Sequence, residues 1–224
     1  MEHIKQNLNP DLPDGSDPEN PIKIYCDGVF DNFHHGHAIL LQKVKTLFKH
    51  VHLTVGVCND EDTVKHKGMP LLSYNERCAM VSYCKWVDAV VEAKWEVDLS
   101  FLDYIGVHYV AHDDIPYAVG DIADVYAEIK AARRFIVTTR TEGVSTTDII
   151  DRVLRDYNIY VERSFKKEVD LTELNLPIHT FYELKLNNLA DFITNGVLQL
   201  SKQVLEENKT SKPLLEEFVS KFET

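Results

Sequence analysis

At 224 residues, with 44% hydrophobic content and a formal charge of -12, the chain can bury one full core but is too acidic to track a nucleic-acid backbone, which requires clustered Lys and Arg. Its N-terminus lacks the apolar core of a signal peptide, and no apolar run approaches the roughly 18 residues of a membrane span. One soluble domain with tails, without a nucleic-acid partner, is the expectation.

Residues 1–21 are rich in Pro, Asp, Asn and Gly, show no hydrophobic period, and read as a flexible leader. From Ile22 onward, short apolar runs with β-branched residues alternate with segments of helical period, the pattern of βαβ units. Strands are predicted near 22–27, 51–58, 88–93, 107–112 and 135–139. Helices are predicted near 35–49, 74–85, 99–105, 122–133 and 145–157. Ser73-x-x-Glu76 has the form of a capping box, and Ser145 with Asp148 supplies a hydroxyl cap and a first-turn acid. The fold class is therefore α/β: a five-stranded, mainly parallel sheet flanked by helices, with ligands expected at the C-terminal edge of the strands.

The cysteines Cys26, Cys58, Cys78 and Cys84 show no C-x-x-C spacing and read as reduced thiols of an intracellular protein, cytoplasmic with the nucleus as an alternative. After Tyr160 the βα alternation stops. Leu186, Leu189, Phe192, Ile193, Leu200 and Val204 then follow a helical spacing interrupted by Gly196. Residues 179–224 hold five Lys against seven Asp and Glu, which is not the basic amphipathic type that seeks anionic membranes.

The first strand runs into Asp27-Gly28-Val29-Phe30-Asp31-Asn32-Phe33-His34-His35-Gly36-His37, with a helix opening at the end of that run. Gly28 lets backbone approach a phosphate, and the free N–H groups of a helix start favour anions. His34 and His37, on one side of the turn, are placed to donate hydrogen bonds to oxygens gaining charge. From spacing alone a polar loop or an adventitious metal site is an equal alternative. After the fifth predicted strand comes Arg140-Thr141-Glu142-Gly143-Val144-Ser145-Thr146-Thr147-Asp148, whose hydroxyls taken alone read as an ordinary N-cap.

The H-x-G-H form at a strand-to-helix junction resembles the nucleotidyltransferase superfamily. Arg140 to Asp148 resembles the R-T-E-G-I-S-T-T signature of the cytidylyltransferases, in which arginine, backbone amides and hydroxyls hold a triphosphate. Within that family, His112-Asp113-Asp114-Ile115-Pro116-Tyr117 resembles the choline-phosphate branch. The resemblance covers roughly residues 22–165, the expected catalytic domain, with one short gap between Val91 and Trp95; residues 166–224 would be a mainly helical extension.

The resemblance implies a Rossmann-like nucleotidyltransferase fold and transfer of a cytidylyl group from CTP to phosphocholine, with Mg²⁺ accompanying CTP and no protein metal site. It implies Asp27, Gly28, Val29, Phe30, His37, Lys67, His112, Asp113, Tyr117, Thr139, Arg140, Thr141, Val144, Ser145 and Thr146 around CTP. Around phosphocholine it implies Lys67, Trp95, Asp113, Tyr117 and Tyr126, an aromatic cage with a carboxylate suited to a quaternary ammonium. His34, His37, Lys67 and Arg140 would carry the chemistry. A homodimer is implied as well. Lys67-Gly68-Met69-Pro70 and Lys85-Trp86-Val87-Asp88 are closer to the phosphoethanolamine enzymes, and Lys85 stands where the choline enzymes usually have a dimer-contact arginine. The short acidic C-terminus argues against regulation by membranes.

Overall fold

The computed structural model describes residues 8–114, 124–167 and 178–207. It divides into two compact units, Met1–Arg152 and Val153–Thr224. The first holds a five-stranded sheet of order β3-β2-β1-β4-β5, formed by β1 (Ile22–Gly28), β2 (Val51–Cys58), β3 (Ala89–Ala93), β4 (Tyr109–Asp113) and β5 (Phe135–Thr138). Every pairing is parallel, with Ile22 opposite Val51 and Ile24 opposite Tyr109. Around it lie α1 (His35–Lys45), α2 (Asp60–His66), α3 (Tyr74–Ser82), α4 (Leu99–Tyr104), α5 (Ala127–Ala131) and α6 (Thr146–Arg155), which runs across the division between the units.

Period-two alternation divides the core between two faces. Ile22, Ile24 and Cys26 of β1 join Leu41, Val44, Leu53, Val55, Val57 and Val81 in one cluster. Tyr25, pointing the other way, joins Phe101, Leu102, Val110, Tyr126 and Ile129 in a second. Both faces of β1 and β2 are covered, which is why these strands read as near-continuous apolar runs. Tyr25 is fully buried, edge-on to Phe101 at 5.7 Å, and seated directly over Gly56. A Cβ at Gly56 would lie 2.0 Å from the Tyr25 hydroxyl oxygen. Gly56→Ala is therefore expected to cost about 1–3 kcal/mol by overpacking, measured as a lower Cm in urea at unchanged m.

The predicted strands and helices are present with ends displaced by a few residues. Ser73 and Glu76 form the expected capping box, and the Ser145 hydroxyl accepts the Asp148 N–H at 3.0 Å. Two differences have physical causes. Helix α2 was not expected: it is capped by the Asn59 side chain on the Asp62 N–H, with three acids in its first turn, a local signal inside an otherwise polar stretch. Residues 8–15 pack on the domain rather than trailing as a leader, while 16–20 are exposed. Leu8 is buried, the Asn9 N–H donates to the Arg133 carbonyl at 3.1 Å, and the Tyr109 hydroxyl donates to the Asn9 carbonyl at 3.2 Å.

In the second unit, α7 (Tyr157–Lys166) and α8 (Ile178–Glu207) follow α6. Helix α8 continues through Gly196, whose absent side chain costs helix stability without breaking the backbone hydrogen bonds. Among the described residues, no helix is long and apolar enough to cross a membrane.

Candidate active site

The strand order reverses at β1: successive crossovers step outward to β2 and β3 on one side, and to β4 and β5 on the other. A crevice opens beyond the strand C-termini at such a point. Asp27 and Gly28 end β1, His112 and Asp113 end β4, and Thr139 to Val144 follow β5. Parallel strands thus bring together segments more than a hundred residues apart.

The β1–α1 turn holds two stacked imidazoles. His34, the N-cap of α1, has an extended backbone, and its ring lies 3.8 Å from that of His37 at 20°. Each ring has one nitrogen already engaged: His34 Nδ1 accepts the Gly36 N–H at 3.1 Å, and His37 Nδ1 accepts the His34 N–H at 3.3 Å. In the neutral ring the proton must then sit on Nε2. Both histidines accordingly point one N–H donor away from the helix, and neither offers a lone pair to a metal. His34 Nε2 is buried without a hydrogen-bond partner among the described residues, the condition of a donor awaiting an acceptor.

Burial, then the neighbouring His34 and Lys67, pushes His37 from the ordinary 6.5 down to about 3, and burial also lowers His34. His37 is therefore neutral across the physiological range. Between about pH 6.5 and 3 the unfolded chain binds a proton at this position that the folded one does not, so its contribution to stability falls as pH drops through that window. Urea unfolding at about pH 7.5 and about pH 5 should show a larger loss for the wild type than for His37→Asn.

Backbone geometry in the turn is unusual. Phe30 and Asn32 have φ of 53° and 47°, left-handed values uncommon for residues with a side chain, and Phe30 is buried with its ring edge-on to His37 at 5.3 Å. From the signature loop, Val144 packs on Gly36, Thr141 Oγ1 lies 3.5 Å from the Gly36 carbonyl, and Thr146 Oγ1 donates to the Asp31 carbonyl at 3.0 Å. The two motifs meet at α1.

On the β4 side the polar groups lie in two linked sets. Tyr126 is buried; its hydroxyl donates to both Asp27 carboxylate oxygens at 3.1 and 3.2 Å, and its ring lies 5.1 Å from His112. Burial raises the Asp27 pKa, while His112 and the Tyr126 hydroxyl pull it down. His112 Nδ1 stands 3.1 Å from Asp113 Oδ1, and Arg140 Nε donates to Asp113 Oδ2 at 2.6 Å. Arg140, 69% exposed at its side chain, is thus anchored on an acid 10% exposed. Lys67 closes α2 as its exposed C-cap residue. Trp95 packs with Val29, Cys58 and Ala93, and its indole is stacked by His66 at 4.7 Å and 13°.

Of the residues expected in the cage, Trp95 lies beyond β3, Tyr126 belongs to the second core cluster, and Tyr117 lies outside the described residues. Asp31, Arg77 and His66 were not singled out from the sequence. Asp31 Oδ2 and Oδ1 accept the Leu71 and Leu72 N–H groups at 2.8 and 2.9 Å, and a fully buried Arg77 binds the Val29 carbonyl at 2.7 Å. An arginine inside an amphipathic helix ordinarily reads as surface, and only its tertiary contacts reveal otherwise.

A family profile described as Cytidylyltransferase-like matches residues 25–152, the stretch that carries this crevice. The chain belongs to the cytidylyltransferase-like family. It is 42% identical to the choline-phosphate cytidylyltransferase A of Homo sapiens, over 82% of this chain and 50% of that one. To the choline-phosphate cytidylyltransferase of Saccharomyces cerevisiae it is 46% identical, over 70% of this chain and 38% of that one. To an ethanolamine-phosphate cytidylyltransferase of Arabidopsis thaliana it is 39% identical, over 60% and 32%. The chain spans about half the length of the first of these relatives.

Proposed function

We propose that this chain transfers the cytidylyl group of CTP to phosphocholine, forming CDP-choline and pyrophosphate, as a step of phosphatidylcholine synthesis. The observation that carries the chemistry is the pair of stacked, neutral imidazoles whose Nδ1 atoms are taken by backbone N–H groups, leaving Nε2–H as the donor, without a partner among the described residues at His34. Two such donors at a helix N-terminus suit an α-phosphate gaining charge. Similarity to the choline-phosphate enzymes over a larger share of the chain than to the ethanolamine-phosphate enzyme supports the acceptor.

In this reading a phosphocholine oxygen attacks the α-phosphorus of CTP in line, the bond to the β-phosphate oxygen breaks, and pyrophosphate leaves without a covalent enzyme intermediate. Such chemistry depends on alignment and charge stabilisation. His34 and His37 stabilise the α-phosphate, Lys67 bridges the reacting phosphates, and Arg140 with Thr141, Val144, Ser145 and Thr146 holds the leaving group. Val29, Phe30 and Gly28 line the nucleotide side of the turn, with His112, Asp113 and Thr139 toward the nucleoside. Trp95, Asp113, Tyr117 and Tyr126 serve the quaternary ammonium, Tyr126 through the Asp27 carboxylate that its hydroxyl holds. Mg²⁺ accompanying CTP would supply charge neutralisation to the phosphates; the histidines, whose Nδ1 atoms accept backbone N–H groups, fit the role of donors beside such an ion rather than its ligands.

The active unit is a homodimer and the compartment the cytoplasm or nucleus, where the free thiols of Cys26, Cys58, Cys78 and Cys84 stay reduced. Pyrophosphate release with CTP should be fastest with phosphocholine when phosphoethanolamine and glycerol 3-phosphate are offered separately at equal concentration. Preference for phosphoethanolamine would leave the family intact and overturn the acceptor.

A further inference from the structure

The β1–α1 turn that carries His34 and His37 is a strained segment with an explicit external hold. Phe30 and Asn32 both occupy the left-handed region, at φ of 53° and 47°, a conformation that a bulky residue such as Phe30 keeps only where surroundings over-determine the backbone. Those surroundings are identifiable. Arg77 of α3, 0% exposed, spreads its guanidinium over three segments: Nη1 donates to the Val29 carbonyl at 2.7 Å, Nε to the Leu72 carbonyl at 3.1 Å, and Nη2 to Asp60 Oδ1 at 2.7 Å. Asp31 ties the same two loops from the opposite direction, accepting the Leu71 and Leu72 N–H groups, while its own carbonyl is held by Thr146.

A fully buried guanidinium is a poor device for stability alone. Its desolvation is costly, and its only carboxylate contact among the described residues, Asp60, is 48% exposed at its side chain. What the planar fork supplies is geometry, several donors at fixed angles that no ammonium reproduces. The carbonyl it holds, on Val29, precedes the first left-handed residue, and the carbonyl that Thr146 holds precedes the second. Both ends of the strained stretch leading into the His34 cap are therefore pinned.

We propose that Arg77 and Asp31 are positioning residues for the reaction, holding the β1–α1 turn so that the two imidazoles keep their stacked, Nε2-protonated arrangement. The proposal rests on the reading of His34 and His37 as the donors to the α-phosphate. Arg77 touches no substrate in it; it acts through the Val29 carbonyl and the 67–73 loop.

The test compares Arg77→Lys, Asp31→Ala and Asp60→Asn in the full chain. Arg77→Lys keeps a cation beside Asp60 but cannot span both carbonyls. It should lower kcat for pyrophosphate release roughly 10- to 100-fold, the scale of an ångström-level misplacement, with the CTP Kd within about threefold of wild type. Asp31→Ala should act in the same direction. Asp60→Asn, which spares both carbonyl contacts, should stay within about threefold. Nitrogen-15 spectra of the imidazoles supply a readout that global destabilisation does not move. Wild type should show His34 and His37 as Nε2–H tautomers at about pH 7, and both Arg77→Lys and Asp31→Ala should show tautomer mixtures.

Wild-type kcat in folded Arg77→Lys, or in Asp31→Ala should the lysine variant not fold, would overturn the proposal. So would a loss in Asp60→Asn equal to that in Arg77→Lys, or unchanged tautomers beside a lowered kcat. If the wild-type protein released no pyrophosphate with any acceptor, the functional reading would fail instead, and the tautomer spectra would still decide whether Arg77 and Asp31 set the imidazoles.

Discussion

Replacing His37 with Ala should lower kcat for pyrophosphate release by about 100-fold or more, corresponding to about 3 kcal/mol of lost transition-state stabilisation, while CTP affinity changes far less. The asymmetry follows from the state of the ring. His37 is held neutral by burial, and its Nδ1 is taken by the His34 N–H, so it offers one uncharged donor rather than a cation. A neutral donor gains little from a ground-state phosphate, whose charge is already spread over its oxygens, and most where negative charge grows as the α-phosphorus becomes crowded. Initial rates beside a CTP titration measure both quantities. The His37→Asn variant, whose amide can still donate, should recover part of the loss. An equal rise in CTP Kd and fall in kcat would instead mean that His37 serves binding.

Gly36→Ala should be the most damaging single-methyl change in the site. In an exposed helix the substitution would stabilise by about 1 kcal/mol through propensity alone. Here a Cβ would stand 2.7 Å from Val144 Cγ1 and 2.9 Å from His34 Cε1, so it must displace either the signature loop or the capping histidine. Steric strain wins: stability should fall by about 1–3 kcal/mol, and kcat by roughly 10- to 100-fold as the His34 ring is turned off its cap. Thermal unfolding and turnover measured on the same preparation separate the two effects. A stabilised and fully active Gly36→Ala protein would show that Val144 has room to retreat and that the contact between the two motifs is not a constraint.

Much of this is legible in the sequence. The strands announce themselves because a sheet buried on both faces needs unbroken apolar runs, as in β2, and the capping box at Ser73 and Glu76 is a purely local interaction. The turn from Asp27 to His37 was legible for the same reason, since cap, glycine and histidines interact within four residues. Helix α2 was missed although its cap and its acidic first turn are equally local, because a seven-residue segment has no room for a hydrophobic period. Tyr126 is expected in a cage from the resemblance, but the seat of its hydroxyl on Asp27 is a pairing across 99 residues that no spacing encodes. Arg140 likewise carried a phosphate role from its motif, while its observed partner, Asp113, arrives from the end of another strand.

The sequence by itself determined the α/β class, the order of the elements and the chemical identity of the histidine turn, because each depends on periodicity or on contacts within one turn of chain. Only the tertiary structure decided which nitrogen of each imidazole is free, that Arg77 is a buried clamp rather than a surface charge, and that Asp31 and Thr146 hold opposite sides of the same strained loop. Those are properties of donors and acceptors brought together by parallel crossovers, and a hydrogen bond between distant residues depends on their separation in space, about which their separation in sequence is silent.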